Sequence, residues 1–161
     1  MDYEAEYLSE PGVVGLFTRL TRVGLLVDAF QHRCLDEFGL LFIDHSVLRV
    51  LELIGEPYRM SPTELADILL RSSGGMTQIL DRLERAGLVV RAPDPDDRRK
   101  VMVALTPQGL ATADAANDVY KRERERLLSG LSAEEVEQLD AALRRLLAVL
   151  NEDARTPTHT S

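Results

Sequence analysis

Ser61-Pro-Thr-Glu-Leu-Ala-Asp-Ile-Leu-Leu-Arg71 runs into Ser72-Ser-Gly-Gly-Met-Thr-Gln-Ile-Leu-Asp-Arg-Leu-Glu-Arg-Ala-Gly87, and then into Leu88-Val-Val-Arg-Ala-Pro-Asp-Pro-Asp-Asp-Arg-Arg-Lys-Val-Met-Val-Ala-Leu-Thr106. Ser61 with Glu64 three residues on forms a capping box, and Pro62 occupies the first helical position, where its missing N–H is not needed. Leu65, Ile68 and Leu69 share one face of the helix that follows, which stops near Arg71. Ser72 caps a second helix with Met76, Ile79, Leu80 and Leu83 inward and Gly87 at its end. Its outward face is then Ser73, Gly74, Thr77, Gln78, Asp81 and Arg82, short or hydrogen-bonding groups that suit a DNA major groove.

Beyond Gly87, Leu88 to Arg91 and the alternation Val101, Val103, Leu105 predict two strands. The prolines between them exclude a continuing ladder, so residues 92–100 form a hairpin tip carrying Arg98, Arg99 and Lys100. Alone, such a loop reads as a solvated hairpin. Placed directly after a capped helix pair, it reads as a wing that can put an arginine into a minor groove. The predicted architecture is mainly α with a small β-hairpin wing, a winged helix-turn-helix.

These residues resemble the MarR family of dimeric transcriptional regulators. The resemblance rests on Met76-Thr-x-x-Leu-Asp-Arg-Leu-x-x-x-Gly-Leu-Val89 and on Asp97-x-Arg99 followed by Leu105-Thr106, and extends loosely from about Leu16 to Leu150. It implies that Arg99 reaches the minor groove with Asp97 orienting it, and that Ser73, Thr77, Gln78 and Arg82 lie on the recognition helix. Ser61, Thr63, Arg71, Ser72, Arg98 and Lys100 complete the expected DNA-facing set. Gln78 stands where many members carry arginine, and Gly74-Gly75 loosens the first turn of the helix. The Ser-Ser-Gly-Gly-Met-Thr sequence looks most like the branch that answers to urate and phenolic ligands.

The chain has 161 residues, 45% hydrophobic and 5% aromatic without tryptophan, enough for one domain built on Leu, Val and Ala packing. A net charge of −8 argues at first against nucleic acid. Residues 61–106, however, carry seven Lys and Arg against seven Asp and Glu, so the whole deficit lies elsewhere. A neutral reading module on an acidic body binds DNA if its cations face the phosphates. No long uncharged apolar run and no basic leader occurs, which predicts a cytosolic protein away from membranes.

Around the module, the periodicity from Pro11 predicts one long helix ending near Phe38-Gly39, and the family resemblance implies that residues 1–38 serve dimerisation. Asp44 is expected to cap a helix from His45 to Ile54, with Val47, Leu48, Val50, Leu51 and Ile54 inward. The family resemblance implies a minor strand before Ser61, expected here as a bridge of one or two residues, and the winged domain is assigned to residues 44–106. Thr106-Pro107 starts another long helix, with Lys121 to Arg126 on its solvated face and Gly130 ending it. Ser132 with Glu135 starts a last helix whose stripe of Val136, Leu139, Leu143, Leu146, Leu147 and Leu150 needs a partner; residues 107–150 are also assigned to dimerisation. Residues 1–9 should fray, and 151–161 form a polar tail expected to be disordered.

No catalytic constellation is present, no cofactor motif occurs, and His32, His45 and His159 lack metal-ligand spacing, so an enzyme is not expected. The resemblance implies a small anionic aromatic or acyl-CoA effector. His45 with Arg49, and Asp28 with His32, are the candidate ligand pairs, each four apart on a helix; surface ion pairing or packing is the plainer reading of both. Two alternatives stay open: a redox-sensing regulator acting through the single cysteine, Cys34, and a winged module that binds protein rather than DNA.

Overall fold

The computed structural model describes residues 7–95 and 97–155. Helix α1 spans Gly12–Leu35 and passes through a 3-10 turn, Asp36–Phe38, to Gly39, whose φ of 63° reverses the chain. Helix α2 (Phe42–Ile54) leads to the two-residue strand β1 (Arg59–Met60), then α3 (Pro62–Ile68) and α4 (Ser73–Arg85). Strands β2 (Val89–Pro93) and β3 (Val101–Leu105) form the hairpin, followed by α5 (Pro107–Leu128) and α6 (Ala133–Arg155). The sheet is antiparallel in the order β1-β3-β2, with Val89 opposite Leu105 and Pro93 opposite Val101, so the wing tip lies at residues 94–100. The architecture is the expected winged helix-turn-helix.

Local signals explain most element starts. Ser61 Oγ accepts from the Glu64 N–H at 3.3 Å while Glu64 accepts from the Ser61 N–H at 3.0 Å. Ser132 and Glu135 repeat this reciprocal pair. Thr106 Oγ1 accepts from the Gly109 N–H at 2.9 Å and donates to the Gly87 carbonyl at 2.7 Å, fixing the start of α5 to the root of the hairpin. Gly109 is required there: a Cβ would collide with the Leu88 carbonyl.

Four expectations need correction. Helix α2 begins at Phe42, three residues before His45, and Asp44 is not its N-cap; from within the first turn its carboxylate accepts the Leu41 N–H at 3.0 Å. Ile54 and Ile68 are 45% and 52% exposed rather than inward, because each sits in the last turn of its helix, where the core face has already ended. The polar tail continues α6 to Arg155, five residues past Leu150, since nothing in Asn151-Glu-Asp-Ala breaks a helix. Expectations for residues 1–6 and 156–161, including His159, lie outside the described residues.

The chain divides into two compact units, residues 1–122 and 123–161. The first holds the core: Leu35, Val47, Leu48, Leu51, Leu65, Leu80 and Val103 are fully buried, with Met76 and Leu83 at 1%. Phe30, Cys34 and Leu35 from α1, Val89 and Val103 from the hairpin and Ala113 and Ala116 from α5 close the same core around α2, α3 and α4. The second unit is the end of α5 with α6, and its apolar stripe is open.

Candidate nucleic-acid interface

Helix α4 is presented by its cap and by two ion-pair systems on its sides. Ser72 Oγ accepts from the Gly75 N–H at 3.2 Å, and the Thr77 hydroxyl donates to the Ser73 carbonyl at 2.9 Å. Thr63, Arg71, Ser72, Ser73, Thr77 and Gln78 are exposed and Ser61 is half-buried. Met76, Ile79, Leu80 and Leu83 form the opposite, buried face. The polar side of the helix is therefore not covered by the described residues of this chain.

Arg82 is a correction. Expected on the outward face, its guanidinium instead grips Asp44, with Nη2 2.6 Å from Oδ1 and Nε 3.0 Å from Oδ2. The Asp44 side chain is 2% exposed, and a carboxylate that deep needs a fixed cation. Position 82 neighbours the buried Leu83, so its long stem reaches inward from the edge of the core face. Hydrogen bonding to Asp44 raises the arginine above its ordinary pKa. The pair ties α4 to α2.

On the other side lies Arg91, a strand residue that no sequence motif singles out. Its Nη2 is 2.7 Å from Asp81 Oδ1 and its Nη1 is 2.6 Å from Glu84 Oε2. The Arg91 N–H donates to Glu84 Oε1 at 3.0 Å, and Nη2 also lies 3.4 Å from the Thr77 carbonyl. These backbone and side-chain hydrogen bonds from Arg91 lower Glu84 below the ordinary carboxylate pKa. The available signal was the period of the strand: Val89 is buried and Val90 exposed, so residue 91 returns to the face packed on α4, where carboxylates at 81 and 84 share a side.

In the wing, the Asp94 N–H donates to the Lys100 carbonyl and the Lys100 N–H to the Asp97 carbonyl, both at 2.9 Å. Asp97 accepts three hydrogen bonds from Arg99, from its backbone N–H, Nε and Nη2, at 3.0 to 3.2 Å. The side-chain bond from Arg99 contributes most to holding Asp97 below its ordinary pKa. The Arg99 guanidinium is oriented by Asp97, yet the side chain stays 91% exposed, so its outer edge is open to solvent. Arg98 and Lys100 are exposed beside it.

The candidate ligand pairs come out differently. Asp28 and His32 approach to 3.6 Å on the exposed surface of α1. His45 and Arg49 do not converge on a shared opening: the buried His45 Nε2 is 2.8 Å from Asn117 Oδ1, while Arg49 Nη1 is 2.9 Å from Glu52 Oε2. Asn117 also donates to Glu52, so a carboxylate of the chain already stands beside the guanidinium. That corrects the idea that this imidazole and guanidinium face an anion together. His45 instead joins Phe30, Phe42 and Tyr120 in a ring cluster with centroids 5.6 to 6.2 Å apart. Cys34 is 6% exposed within the core. Among the described residues, no cluster of His, Cys, Asp and Glu could hold a metal ion, and no helix is long and apolar enough to cross a membrane.

Comparison with known proteins agrees with this geometry. Residues 38–100 match the family model described as MarR family. The HTH-type transcriptional regulator PecS of Dickeya dadantii is 33% identical over 127 residues, covering 79% of this chain and 76% of that protein. The multiple antibiotic resistance protein MarR of Escherichia coli is 32% identical over 137 residues, covering 82% and 95%. A crystal structure of a cysteine-to-serine mutant of E. coli MarR complexed with operator DNA superposes with a TM-score of 0.71 at 27% identity, covering 85% of this chain and 99% of that one. With its capped helix pair, its wing and these relatives, the chain belongs to the MarR family of winged helix-turn-helix, DNA-binding transcriptional regulators.

Proposed function

We propose that the chain acts as a homodimer on a two-fold symmetric DNA operator, as a repressor that a small ligand releases. The observation carrying this reading is the bare polar face of α4 next to a wing arginine that is 91% exposed yet oriented by Asp97. Ser73, Thr77 and Gln78 face base edges. Ser61, Thr63, Arg71, Ser72, Arg98 and Lys100 face phosphates, and Arg99, oriented by Asp97, enters the minor groove. Arg82 supports the helix from behind.

Two copies are supported by the apolar surface left open at both ends of the chain. Val13, Phe17, Leu25 and Leu26 on α1 are 54% to 71% exposed, and Leu139, Leu143 and Leu147 on α6 are 48% to 56% exposed. Half-sites one helical turn apart, about 34 Å, would match a two-fold protein. The effector is a small anionic aromatic or an acyl-CoA. An aromatic ligand finds like chemistry in the Phe30, Phe42, His45 and Tyr120 cluster, where α1, α2 and α5 meet. Release requires that the ligand bind the incompetent spacing of the two heads more tightly than the competent one. The buried position of Cys34 gives no support to an oxidant trigger.

The test is fluorescence anisotropy on the duplex that the wild-type chain selects from a random-sequence pool, against an unrelated duplex. Arg99→Ala should weaken binding to both and reduce the salt slope by about 1. Gln78→Ala should change the ratio between them. Equal losses on both duplexes from both substitutions would contradict this assignment.

A further inference from the structure

The arginines of the reading head are not all available to DNA, and Arg91 is committed most heavily. It sits between Asp81 and Glu84 on α4 at 2.7 and 2.6 Å, and also takes Glu84 with its backbone N–H. Both carboxylates remain in contact with solvent, at 51% and 39% exposure, while Arg91 itself is 24% exposed. They lie three to seven residues beyond Thr77 and Gln78, which is roughly 5 to 10 Å along the helix axis at 1.5 Å per residue. That separation is comparable to one Debye length, ~10 Å at 0.1 M salt, so an unmasked charge at 81 or 84 is only partly screened from the surface that Thr77 and Gln78 form. With Arg82 occupied by Asp44, the half of α4 beyond Gln78 would carry Asp81 and Glu84 against Arg85 alone if Arg91 were absent.

We propose that Arg91 is a positioning residue for DNA binding that acts through charge: from the wing strand it masks the two carboxylates of the recognition helix, so that an acidic chain presents a helix that phosphate does not repel. This rests on the DNA-binding reading. The masking is specific to the geometry of β2 on α4, since only a residue returning to the helix-facing side of the strand, one step past Val90, meets both carboxylates. Its role differs from that of Arg99, whose side chain is 91% exposed while Arg91 is 24% exposed.

The experiment measures binding of the full-length chain to its selected duplex at 0.1 M salt, with thermal melting of every variant. Arg91→Met should lower affinity about 30-fold, and adding Asp81→Asn and Glu84→Gln to it should return affinity to within about threefold of wild type. Arg91→Lys keeps the cation without the fork and should bind within about threefold of wild type, which also covers the case in which Arg91→Met does not fold. Wild-type affinity in Arg91→Met, a triple variant as weak as Arg91→Met, or loss in a folded Arg91→Lys would each overturn the masking role. If the wild-type chain bound no duplex at low salt, the DNA-binding reading would fail and the proposal with it, a result distinct from these.

Discussion

In the winged head, Leu48, Leu51, Leu65 and Leu80 are fully buried, whereas Leu139, Leu143 and Leu147 on α6 keep about half their surface exposed. The two sets have the same side chain and similar helical spacing. They differ in what surrounds them: α2, α3, α4 and the hairpin, with the end of α1 and the start of α5, enclose one core, while the leucines of α6 stay half exposed among the described residues. A leucine stripe at 3- and 4-residue spacing therefore predicts burial, but does not say whether the covering atoms belong to the same chain. In the head the chain covers itself. At the ends, the proposed cover is a second copy.

The contrast can be broken most severely from the head side. Leu80→Ala should cost about 2–5 kcal/mol of folding stability, read by urea unfolding, because a closed core cannot collapse around the space. Leu143→Asp should leave the melting of the head nearly unchanged while abolishing the two-chain species in sedimentation, and operator affinity should fall by about 100-fold or more as two linked half-sites become one. If it unfolds the head as Leu80→Ala does, the distinction between the regions is lost.

Smaller effects sharpen the picture inside the head. Leu70, in the turn between α3 and α4, has φ of 52° and is 82% exposed, so it bears left-handed strain with almost no packing in return. Leu70→Gly should raise stability by roughly 0.5–1 kcal/mol in the same unfolding assay, a gain that no buried leucine could give. Acid should act weakly and on both regions. Glu64, Glu84 and Glu135 all have folded-state pKa values below 4.5, the first and last through hydrogen bonds with their capping serines and Glu84 through Arg91. Their contribution is present above pH about 4.5 and is lost as pH falls through the lower folded values. Glu84→Gln should flatten the stability profile below pH 4.5 by less than about 1 kcal/mol, since the group is largely solvated.

What could be read from the chain divides along a similar line. Caps at Ser61, Ser72, Thr106 and Ser132 are interactions over three residues, and each was legible because its donors and acceptors are neighbours in sequence. The wing was legible from Pro93, Pro95 and the alternation after Lys100. Arg82 was misassigned because α4 has an edge where inside and outside meet, and the side chosen depends on Asp44, 38 positions away. Arg91 went unnoticed for the same reason, its partners lying on another element. Ile54 and Ile68 show that periodicity runs on past the point where a core ends, and Gly109 shows a close backbone approach that no local pattern announces.

The measurement closest to the central claim is the stoichiometry of the complex with the selected duplex, by native mass spectrometry at low salt, with Arg99→Ala and Leu143→Asp alongside. Two chains per duplex for the wild type, a weakened two-chain complex for Arg99→Ala and loss of that complex for Leu143→Asp are the expected results. One wild-type chain per duplex at full affinity, or no complex at all, would contradict the account.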